Sequence, residues 1–299
     1  MNNSRFKTIE AAKEGRKKVH PILAVILSVV FLTLGELFIL FMLFLPKAET
    51  TFMKGIYNDL EMLLIFGGAT VIVFLWVRFV EKRPFSSIGF GKEQFLRKYV
   101  KGAIVGFIFI SIPVLLLVIT GFVQLQIQPI TTTVIFGILG SLVAFLVQGA
   151  TEEIVIRGWL FPVISVRSRI WVGIVVTSLV FGFLHLLNPG ITILSISNII
   201  LVGVFAAFYV LKENSLWGIC AWHSIWNWAQ YNVYGFAVSG MTIYSSPLFK
   251  STTSGPEVLH GGAFGIEGSV ITTCLLTIAS VVIWRQIWRK RTRQRNIES

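Results

Sequence analysis

Long apolar stretches, separated by short polar segments, follow one another along the whole chain. Eight of them are close to the length of about 17 to 25 residues that an α-helix needs to cross the hydrocarbon core of a bilayer. In chain order they are residues 21–45, 59–80, 99–123, 134–165, 171–187, 193–211, 216–239 and 268–288. The pattern predicts an all-α fold, a polytopic membrane bundle of about eight transmembrane helices.

Two features do not fit a simple bundle. The fourth stretch, residues 134–165, would rise about 48 Å as a straight helix, against a hydrocarbon core of about 30 Å. We therefore expect it to tilt, to kink or to have ends that differ from these boundaries. By the same boundaries His185 lies near the outer end of the fifth stretch, whereas His223 lies near the inner end of the seventh. The two histidines are expected at different depths.

The distribution of the 26 Lys and Arg residues predicts how the helices are oriented. With eight crossings, all but four of these cations fall on one side of the membrane. The exceptions are Lys47, Lys54 and Lys250 on the opposite side and Arg157 inside a span. Basic residues accumulate in cytoplasmic loops, so both termini are predicted to be cytoplasmic. Residues 1–20 and 285–299 would be basic cytoplasmic tails.

Composition supports a membrane protein and indicates which kind of partner it binds. Hydrophobic residues make up 55% of the chain and charged residues 13%, and the mean hydropathy is +0.78, as in polytopic membrane proteins. The net charge of +12 does not indicate nucleic-acid binding, because the basic residues lie just past the apolar stretches, where they meet anionic lipid. We expect a lipid bilayer as partner and no nucleic acid. Residues 1–299 are interpreted as a single membrane domain.

Three ionisable residues interrupt the fourth apolar stretch: Glu152, Glu153 and Arg157. Placing each such side chain at the centre of a bilayer costs roughly 2.5 to 3.5 kcal/mol of free energy. Three of them together therefore indicate a structural or catalytic role. On a helix Glu153 and Arg157 share a face, and we predict that they form an ion pair. Glu152 points away from Arg157, and a free buried carboxylate can act as a general base. A polar clamp between helices, without chemistry, would show the same pattern.

Two later stretches carry further polar side chains. His185 lies one helical turn after Phe181, and His223 and Asn227 share one face of the seventh stretch. An imidazole and a carboxamide arranged in this way can stabilise an oxyanion, although hydrogen bonding between helices would also account for them. No serine or cysteine nucleophile is evident, and Ser224 faces away from His223, so a covalent mechanism is disfavoured.

In chain order these residues form the motifs Glu-Glu-x-x-x-Arg, Phe-x-x-x-His and His-x-x-x-Asn. Their order on successive spans resembles the CAAX-protease and bacteriocin-processing family of intramembrane peptidases, called CPBP or Abi, which includes the Ras-converting CAAX endopeptidase. The resemblance covers about residues 134–240, and the segments 158–161, 215–217 and 265–268 are similar to bacterial members. It implies a CPBP-like catalytic core in residues 134–240 and a multi-pass protein of the bacterial cell membrane.

The resemblance implies an intramembrane endopeptidase that hydrolyses a peptide bond of a membrane-associated protein or peptide. CAAX-type processing and bacteriocin or peptide maturation both fit. Carried over residue by residue, the motifs imply that Glu152 and His185 activate a water. They also imply that His223 and Asn227 stabilise the oxyanion. The residues that would order the site are Glu153 and Arg157.

A metal ion is compatible with the same residues. Members of the family are commonly labelled metalloproteases, and Glu152, His185 and His223 could bind one zinc ion as a His₂Glu site with an open position for water. The chain has no His-Glu-x-x-His motif. The resemblance also permits a metal-free mechanism based on the glutamate, which we favour.

Two other functions stay open at the level of sequence. A non-catalytic bacteriocin-immunity or membrane-interaction protein would keep the fold without turnover, and Glu152 and His185 would then be dispensable. A secondary transporter would use the same two residues as a proton relay, but the chain shows no inverted repeat. We favour the peptidase, and the sequence identifies neither its substrate nor its oligomeric state.

Overall fold

A computed structural model describes residues 6–15, 19–242 and 246–298 of the chain, most of them helical. In chain order the main elements are α1 (Lys7–Glu14), α2 (Pro21–Glu36), α3 (Thr51–Leu75), α4 (Phe95–Ile119), β1 (Val123–Ile127), α5 (Thr132–Glu153), α6 (Phe161–Arg167), α7 (Ile170–Phe183), α8 (Ile193–Glu213), α9 (Trp217–Trp228), β2 (Phe249–Thr253), α10 (Glu257–His260) and α11 (Val270–Glu298). Segments of π-helix follow α3 (Trp76–Val80), α5 (Ile154–Leu160) and α9 (Ala229–Val233), and 3₁₀ turns lie at Leu37–Phe44, Phe85–Ile88, Gly262–Phe264 and Ile266–Gly268.

Six helical segments in the described part of the chain are long and apolar enough to cross a membrane. They are Pro21–Phe44, Phe52–Val80, Phe95–Ile119, Thr132–Arg167, Ile193–Glu213 and Val270–Arg289. The predicted polytopic helical bundle is confirmed at this level. The predicted fifth and seventh spans correspond to the shorter helices α7 and α9. Eight crossings, and the cytoplasmic location of both termini, stay predictions.

The long fourth stretch forms one helical segment of 36 residues, Thr132–Arg167. Its backbone widens from α- to π-helix over Ile154–Leu160, and Pro162 lies at the start of α6. A π turn shifts the hydrogen-bond ladder of a helix and is frequent at functional sites. The irregularity expected from the length of this stretch therefore begins directly after Glu152 and Glu153.

Helix α7 is shorter than its apolar stretch, and His185 lies just beyond its end. It has 14 residues and rises about 21 Å, less than the hydrocarbon thickness of about 30 Å. It ends at Phe183, and His185 lies in the turn that follows. The ring of Phe181 packs against both His185 and His223, with centroid distances of 4.8 and 6.1 Å. Both histidines therefore contact the same aromatic ring, and their depths in a membrane stay a prediction.

Contacts between helices and helix ends define one end of the bundle, which we call the basic end. Helix α1 packs on α6 there, and the backbone N–H of Lys7 donates to Asn214 Oδ1 at 3.0 Å. Lys101 lies 3.6 Å from Glu213. The predicted tail 1–20 thus contains a docked helix, since α1 buries Ile9. Residues 1–5 and 16–18 of the tail lie outside the described residues, as does Ser299, whereas α11 extends the C-terminal segment to Glu298.

The opposite end, which we call the far end, holds a small sheet that the all-α prediction misses. Strands β1 and β2 pair antiparallel, with Val123 opposite Thr253 and Ile127 opposite Phe249. The alternating sequence Val-Gln-Leu-Gln-Ile of β1 is typical of a half-buried strand. Both strands lie in connections between long helices, where pairing satisfies backbone groups that no helix includes.

Glycines let α9 pack closely between α4 and α5. A Cβ atom at Gly102 would collide with the carbonyl of Gly218, and one at Gly106 would collide with the carbonyl of Trp222. On the other side, a Cβ at Gly149 would lie 2.7 Å from Ser224. Small residues four apart allow such backbone contact between membrane helices. This packing brings the polar face of α9 against the Glu152 region of α5.

Candidate active site

A cavity of about 700 Å³ lies between α2, α3, α5, α7 and α9. It reaches the far end of the bundle at Met241, in the loop after α9, and its wall also includes the exposed residue Glu36 within the span Pro21–Phe44. All four residues predicted to be catalytic line it: Glu152, His185, His223 and Asn227. The packing of three helices therefore brings together residues that are up to 75 positions apart in the chain.

Glu152 and His223 face each other across the cavity. Glu152 Oε2 lies 3.6 Å from His223 Nε2, slightly beyond hydrogen-bond distance. The side chain of Glu152 is 13% exposed and that of His223 is 7% exposed. Among the described residues Glu152 Oε2 has no hydrogen-bond partner. A carboxylate oxygen is thus available to a molecule in the cavity, beside an imidazole nitrogen.

The predicted ion pair between Glu153 and Arg157 is present, with Arg157 Nη1 3.1 Å from Glu153 Oε1. Both side chains are fully buried. The same oxygen of Glu153 lies 2.8 Å from His223 Nδ1, a contact that the sequence did not predict. The guanidinium carbon of Arg157 lies 4.3 Å from the centre of the Phe181 ring, which gives a cation–π contact. Glu153 therefore holds both Arg157 and the ring of His223.

His185 presents one nitrogen to the cavity. Its Nδ1 lies 2.8 Å from the backbone carbonyl of Phe181. A carbonyl only accepts hydrogen bonds, so Nδ1 carries a proton and Nε2 has the free lone pair in the neutral ring. This arrangement leaves an acceptor nitrogen on a side chain that lines the cavity and packs on Phe181.

A glutamine that sequence reasoning missed connects two of the predicted residues. Gln148 Nε2 donates to Glu152 Oε1 at 2.6 Å, and Asn227 Nδ2 donates to Gln148 Oε1 at 3.0 Å. The carboxylate only accepts, which sets the orientation of the Gln148 amide and then that of Asn227. The signal in the sequence was an amide four residues before Glu152 in an otherwise apolar run.

Glu267 was also missed as part of this cavity. Its Oε2 accepts from the backbone N–H of Ser239 at 2.7 Å and from the Ser239 hydroxyl at 2.8 Å, and its Oε1 accepts from Trp226 Nε1 at 3.2 Å. These bonds fix the loop after α9 to the wall of the cavity. The sequence pointed to Glu267 only through a segment that resembles bacterial family members.

Ser224 is placed away from the cavity. Its hydroxyl donates to the carbonyl of Leu146 at 3.3 Å and contacts Gly149 on α5. This geometry agrees with the prediction that Ser224 is not a nucleophile, because its oxygen faces a helix backbone.

The residues proposed as a zinc site do not fit a metal ion in this arrangement. Among the described residues no group of three or more His, Cys, Asp or Glu side chains is positioned to hold one. Glu152 and His223 lie close together, but His185 does not complete a set of three with them. We therefore derive no chemical step through a metal.

Comparison with known families agrees with the motifs. Residues 133–229 match the family described as type II CAAX prenyl endopeptidase Rce1-like. Neither a curated protein nor a solved structure is significantly similar to the chain. The match points to a CAAX-type intramembrane protease, and the apolar helices agree with a multi-pass integral membrane protein. The motifs and this match thus agree on the same family over residues 133–229, the segment that contains every predicted site residue.

Proposed function

We propose that this protein is an intramembrane endopeptidase that cleaves a membrane-associated protein or peptide with a water activated by Glu152 and His185. The observation that carries the proposal is the position of Glu152. Its carboxylate lies at the wall of a cavity inside an apolar bundle, 3.6 Å from His223 Nε2. An ionisable side chain on a membrane helix is unfavourable in lipid. Such side chains therefore face a cavity or the bundle interior, and they mark functional sites.

In this mechanism a water binds between Glu152 Oε2 and His185 Nε2. Glu152 removes a proton from the water, and the resulting hydroxide attacks the carbonyl carbon of the scissile bond. Glu152 then gives the proton to the leaving amine as the C–N bond breaks. His185 contributes an acceptor nitrogen that orients the water, since its other nitrogen is bound to the Phe181 carbonyl.

His223 and Asn227 would stabilise the negative oxygen of the tetrahedral intermediate. Asn227 has one N–H engaged by Gln148, so its second N–H is free to donate. His223 Nδ1 donates to Glu153, so a donating Nε2 requires the doubly protonated ring. Two fixed donors aimed at an oxyanion are a large source of rate acceleration in amide hydrolysis.

The charges of Glu152, Glu153, Arg157 and His223 sum to zero when the His223 ring is doubly protonated. A protonated His223 and Arg157 provide two positive charges, and Glu152 and Glu153 provide two negative ones. Balance of this kind matters because unpaired charges inside an apolar bundle are strongly unfavourable. Glu153 and Arg157 are thus positioning residues: they hold the ring of His223 and touch neither water nor substrate.

The substrate is proposed only by class. CAAX-type processing and bacteriocin or peptide maturation both place a peptide bond next to a membrane, as this cavity requires. The proposal also includes a bacterial cell membrane as the location. A non-catalytic immunity or interaction role on the same fold is the alternative, and it makes the opposite prediction for Glu152.

The test compares wild type with Glu152→Gln. Membranes of cells that express either form are compared for new peptide termini, and the cleaved peptide is then assayed with purified protein in detergent. We expect Glu152→Gln to lower turnover by about 10²- to 10⁴-fold. Glu49→Gln, an exposed glutamate outside the cavity, serves as the matched control with full activity. Full proteolysis by Glu152→Gln would refute the mechanism, and a cellular function that survives Glu152→Ala would favour the non-catalytic role.

A further inference from the structure

Glu267 is a buried carboxylate in the cavity wall that the proposed mechanism does not use. It is 5% exposed and lies in the 3₁₀ turn Ile266–Gly268, shortly before α11. Within the part of the chain that the structure describes, no Lys or Arg forms an ion pair with it. A buried carboxylate is costly unless other groups satisfy its oxygens, so the donors around Glu267 indicate its role.

The two oxygens of Glu267 accept hydrogen bonds from two different segments of the cavity wall. Oε1 accepts from Trp226 Nε1 at 3.2 Å, and Oε2 accepts from the N–H and the hydroxyl of Ser239 at 2.7 and 2.8 Å. Trp226 directly precedes Asn227 on α9. A glutamine in this position would have only one oxygen, and its N–H groups would face one of the donors. The donors at this position therefore require a carboxylate.

Ser239 is held in a backbone conformation that serine rarely adopts. Its φ is 48°, in the left-handed region, where a Cβ atom is unfavourable. Its N–H and hydroxyl are bound by Glu267, and its carbonyl accepts from Asn188 Nδ2 at 2.9 Å. A strained residue persists only when the surrounding structure fixes it from several sides, and such residues cluster at functional sites. This observation directs attention to what Ser239 connects.

Ser239 is connected through Asn188 to the turn that carries His185. Asn188 lies three residues after His185, and its backbone N–H donates to the His185 carbonyl at 3.1 Å. The backbones are also in contact at the next position, because a Cβ atom at Gly240 would collide with the carbonyl of Pro189. The turn after α7 is therefore bound to the Ser239 segment at two consecutive residues.

The backbone of Glu267 is itself held by a buried asparagine of α8. Asn198, which is 1% exposed, donates to the carbonyls of Glu267 and Ser269 at 2.7 and 2.9 Å. The Asn198 carbonyl oxygen accepts from the hydroxyl of Thr273 on α11 at 2.7 Å. Glu267 is thus fixed relative to α8 and α11 and can serve as an anchor for the groups that bind its carboxylate.

We propose that Glu267 is a positioning residue that holds the turn of His185 and helix α9 in one relative geometry, with Ser239 and Asn188 as the connection to the histidine. The inference rests on the proposed function, because it concerns how the residue that orients the water is kept in place. His185 lies beyond the last residue of α7, so the helix alone does not fix it. A displacement of about 1 Å in a reacting group can lower a rate about 100-fold.

Glu267→Gln in the full-length protein, purified in detergent, is the first test. We expect kcat on the identified peptide to fall about tenfold or more while KM changes by less than about twofold, because alignment is lost and peptide contacts are kept. Glu257→Gln, an exposed glutamate of α10, is the matched control with full activity. A lower unfolding midpoint with unchanged kcat of the folded protein would show a purely structural role and overturn the inference.

Asn188→Ala breaks the same connection at its other end. It leaves the buried carboxylate in place and therefore tests the inference even if Glu267→Gln does not fold. We expect a similar loss of kcat, and the double variant should be about as slow as the slower single variant, since residues in one network are not additive. Losses that multiply in the double variant would mean that the two residues act independently, which would overturn the connection.

Hydrogen exchange followed by mass spectrometry measures the turn itself and does not depend on hydrolysis. The amides of Leu184, His185, Leu186 and Asn188 donate to carbonyls of the last turn of α7 and of the turn that follows. We expect exchange in residues 184–188 to be about tenfold faster in Glu267→Gln and Asn188→Ala, because a segment that loses its contacts opens locally. Exchange in α4 should not change. Wild-type exchange rates in the turn of both variants would overturn the inference.

The two kinds of measurement separate this inference from the proposed function. Faster exchange in the turn together with a lower kcat supports both. Faster exchange in the variants of a chain that hydrolyses no peptide even as wild type would refute the peptidase and keep the connection from Glu267 to the His185 turn. Full hydrolysis with unchanged exchange in both variants would keep the peptidase and refute the positioning role.

Discussion

Gln148 holds the carboxylate of Glu152 through a hydrogen bond of 2.6 Å between Nε2 and Oε1. The other end of the same amide accepts from Asn227 at 3.0 Å. One buried side chain thereby sets the orientation of the proposed base on α5 and of a proposed oxyanion donor on α9. A hydrogen-bonded network of this kind keeps a site in one geometry as long as every member is satisfied.

Replacing Gln148 tests whether this geometry matters. Gln148→Ala should lower kcat by about tenfold or more, because hydrogen bonds to charged groups contribute about 1.5 to 3 kcal/mol, and should change KM much less. Steady-state kinetics on the identified peptide provides both constants. Gln126→Ala, an exposed glutamine on β1, is the control. A raised KM with unchanged kcat would show that Gln148 contacts substrate without positioning Glu152.

Breaking the buried pair of Glu153 and Arg157 should destabilise the bundle. Arg157→Met leaves the carboxylate of Glu153 buried without its guanidinium, and removing one partner of a buried pair costs about 3 to 5 kcal/mol. The double variant Glu153→Gln with Arg157→Met should recover part of the loss, because no uncompensated charge is left. Unfolding in detergent micelles, followed by tryptophan fluorescence, measures the stability of the single and the double variant.

An exposed ion pair is the comparison for that experiment. Lys7 and Glu93 lie 2.9 Å apart with side chains 64% and 78% exposed, and solvent screens such pairs. Lys7→Met should leave the unfolding midpoint nearly unchanged. If Arg157→Met behaved in the same way, the buried pair would not stabilise the fold.

The close packing of α4 and α9 should depend on Gly106. A Cβ at this position would collide with the backbone of Trp222, so Gly106→Ala should push α9 away from α4 and lower both stability and activity. Gly91→Ala is the matched control, since nothing lies within 4 Å of the added methyl group. Thermal unfolding and turnover of the two variants should differ clearly; equal behaviour would mean that the helices can separate without consequence for the site.

The predicted orientation can be tested by cysteine labelling in intact cells. In a Cys274→Ser background, Met241→Cys at the far end should react with a membrane-impermeant maleimide. Lys92→Cys at the basic end should react only after permeabilisation, because basic loops stay in the cytoplasm. Both positions are exposed. The reverse pattern would place the opening of the cavity on the cytoplasmic side.

Local features of the site were predictable from the chain because they depend on helix geometry alone. The pairing of Glu153 with Arg157 follows from a spacing of four residues, and the separate direction of Glu152 follows from the same geometry. The apolar stretches also predicted where the long helices lie, since the length of a span is set by bilayer thickness. The motifs were sufficient to recognise the family over residues 133–229.

Other features depended on how the helices pack, which no local pattern encodes. The bond from Gln148 to Asn227 joins residues 79 positions apart, and the contact of Glu153 with His223 joins residues 70 apart. Both exist because glycines on α4 and α5 bring the backbone of α9 within contact. The early end of α7 and the sheet between β1 and β2 were likewise decided by neighbouring segments.

The sequence by itself therefore determined a polytopic helical bundle, the spacing of its polar residues along each helix and the family that residues 133–229 resemble. The tertiary structure alone decided which of those polar residues meet, how Glu153 is shared between Arg157 and His223, and that the cavity beside Glu152 is lined by glutamates. Periodicity within a helix is a property of consecutive residues, whereas contacts between helices depend on shape complementarity over the whole bundle.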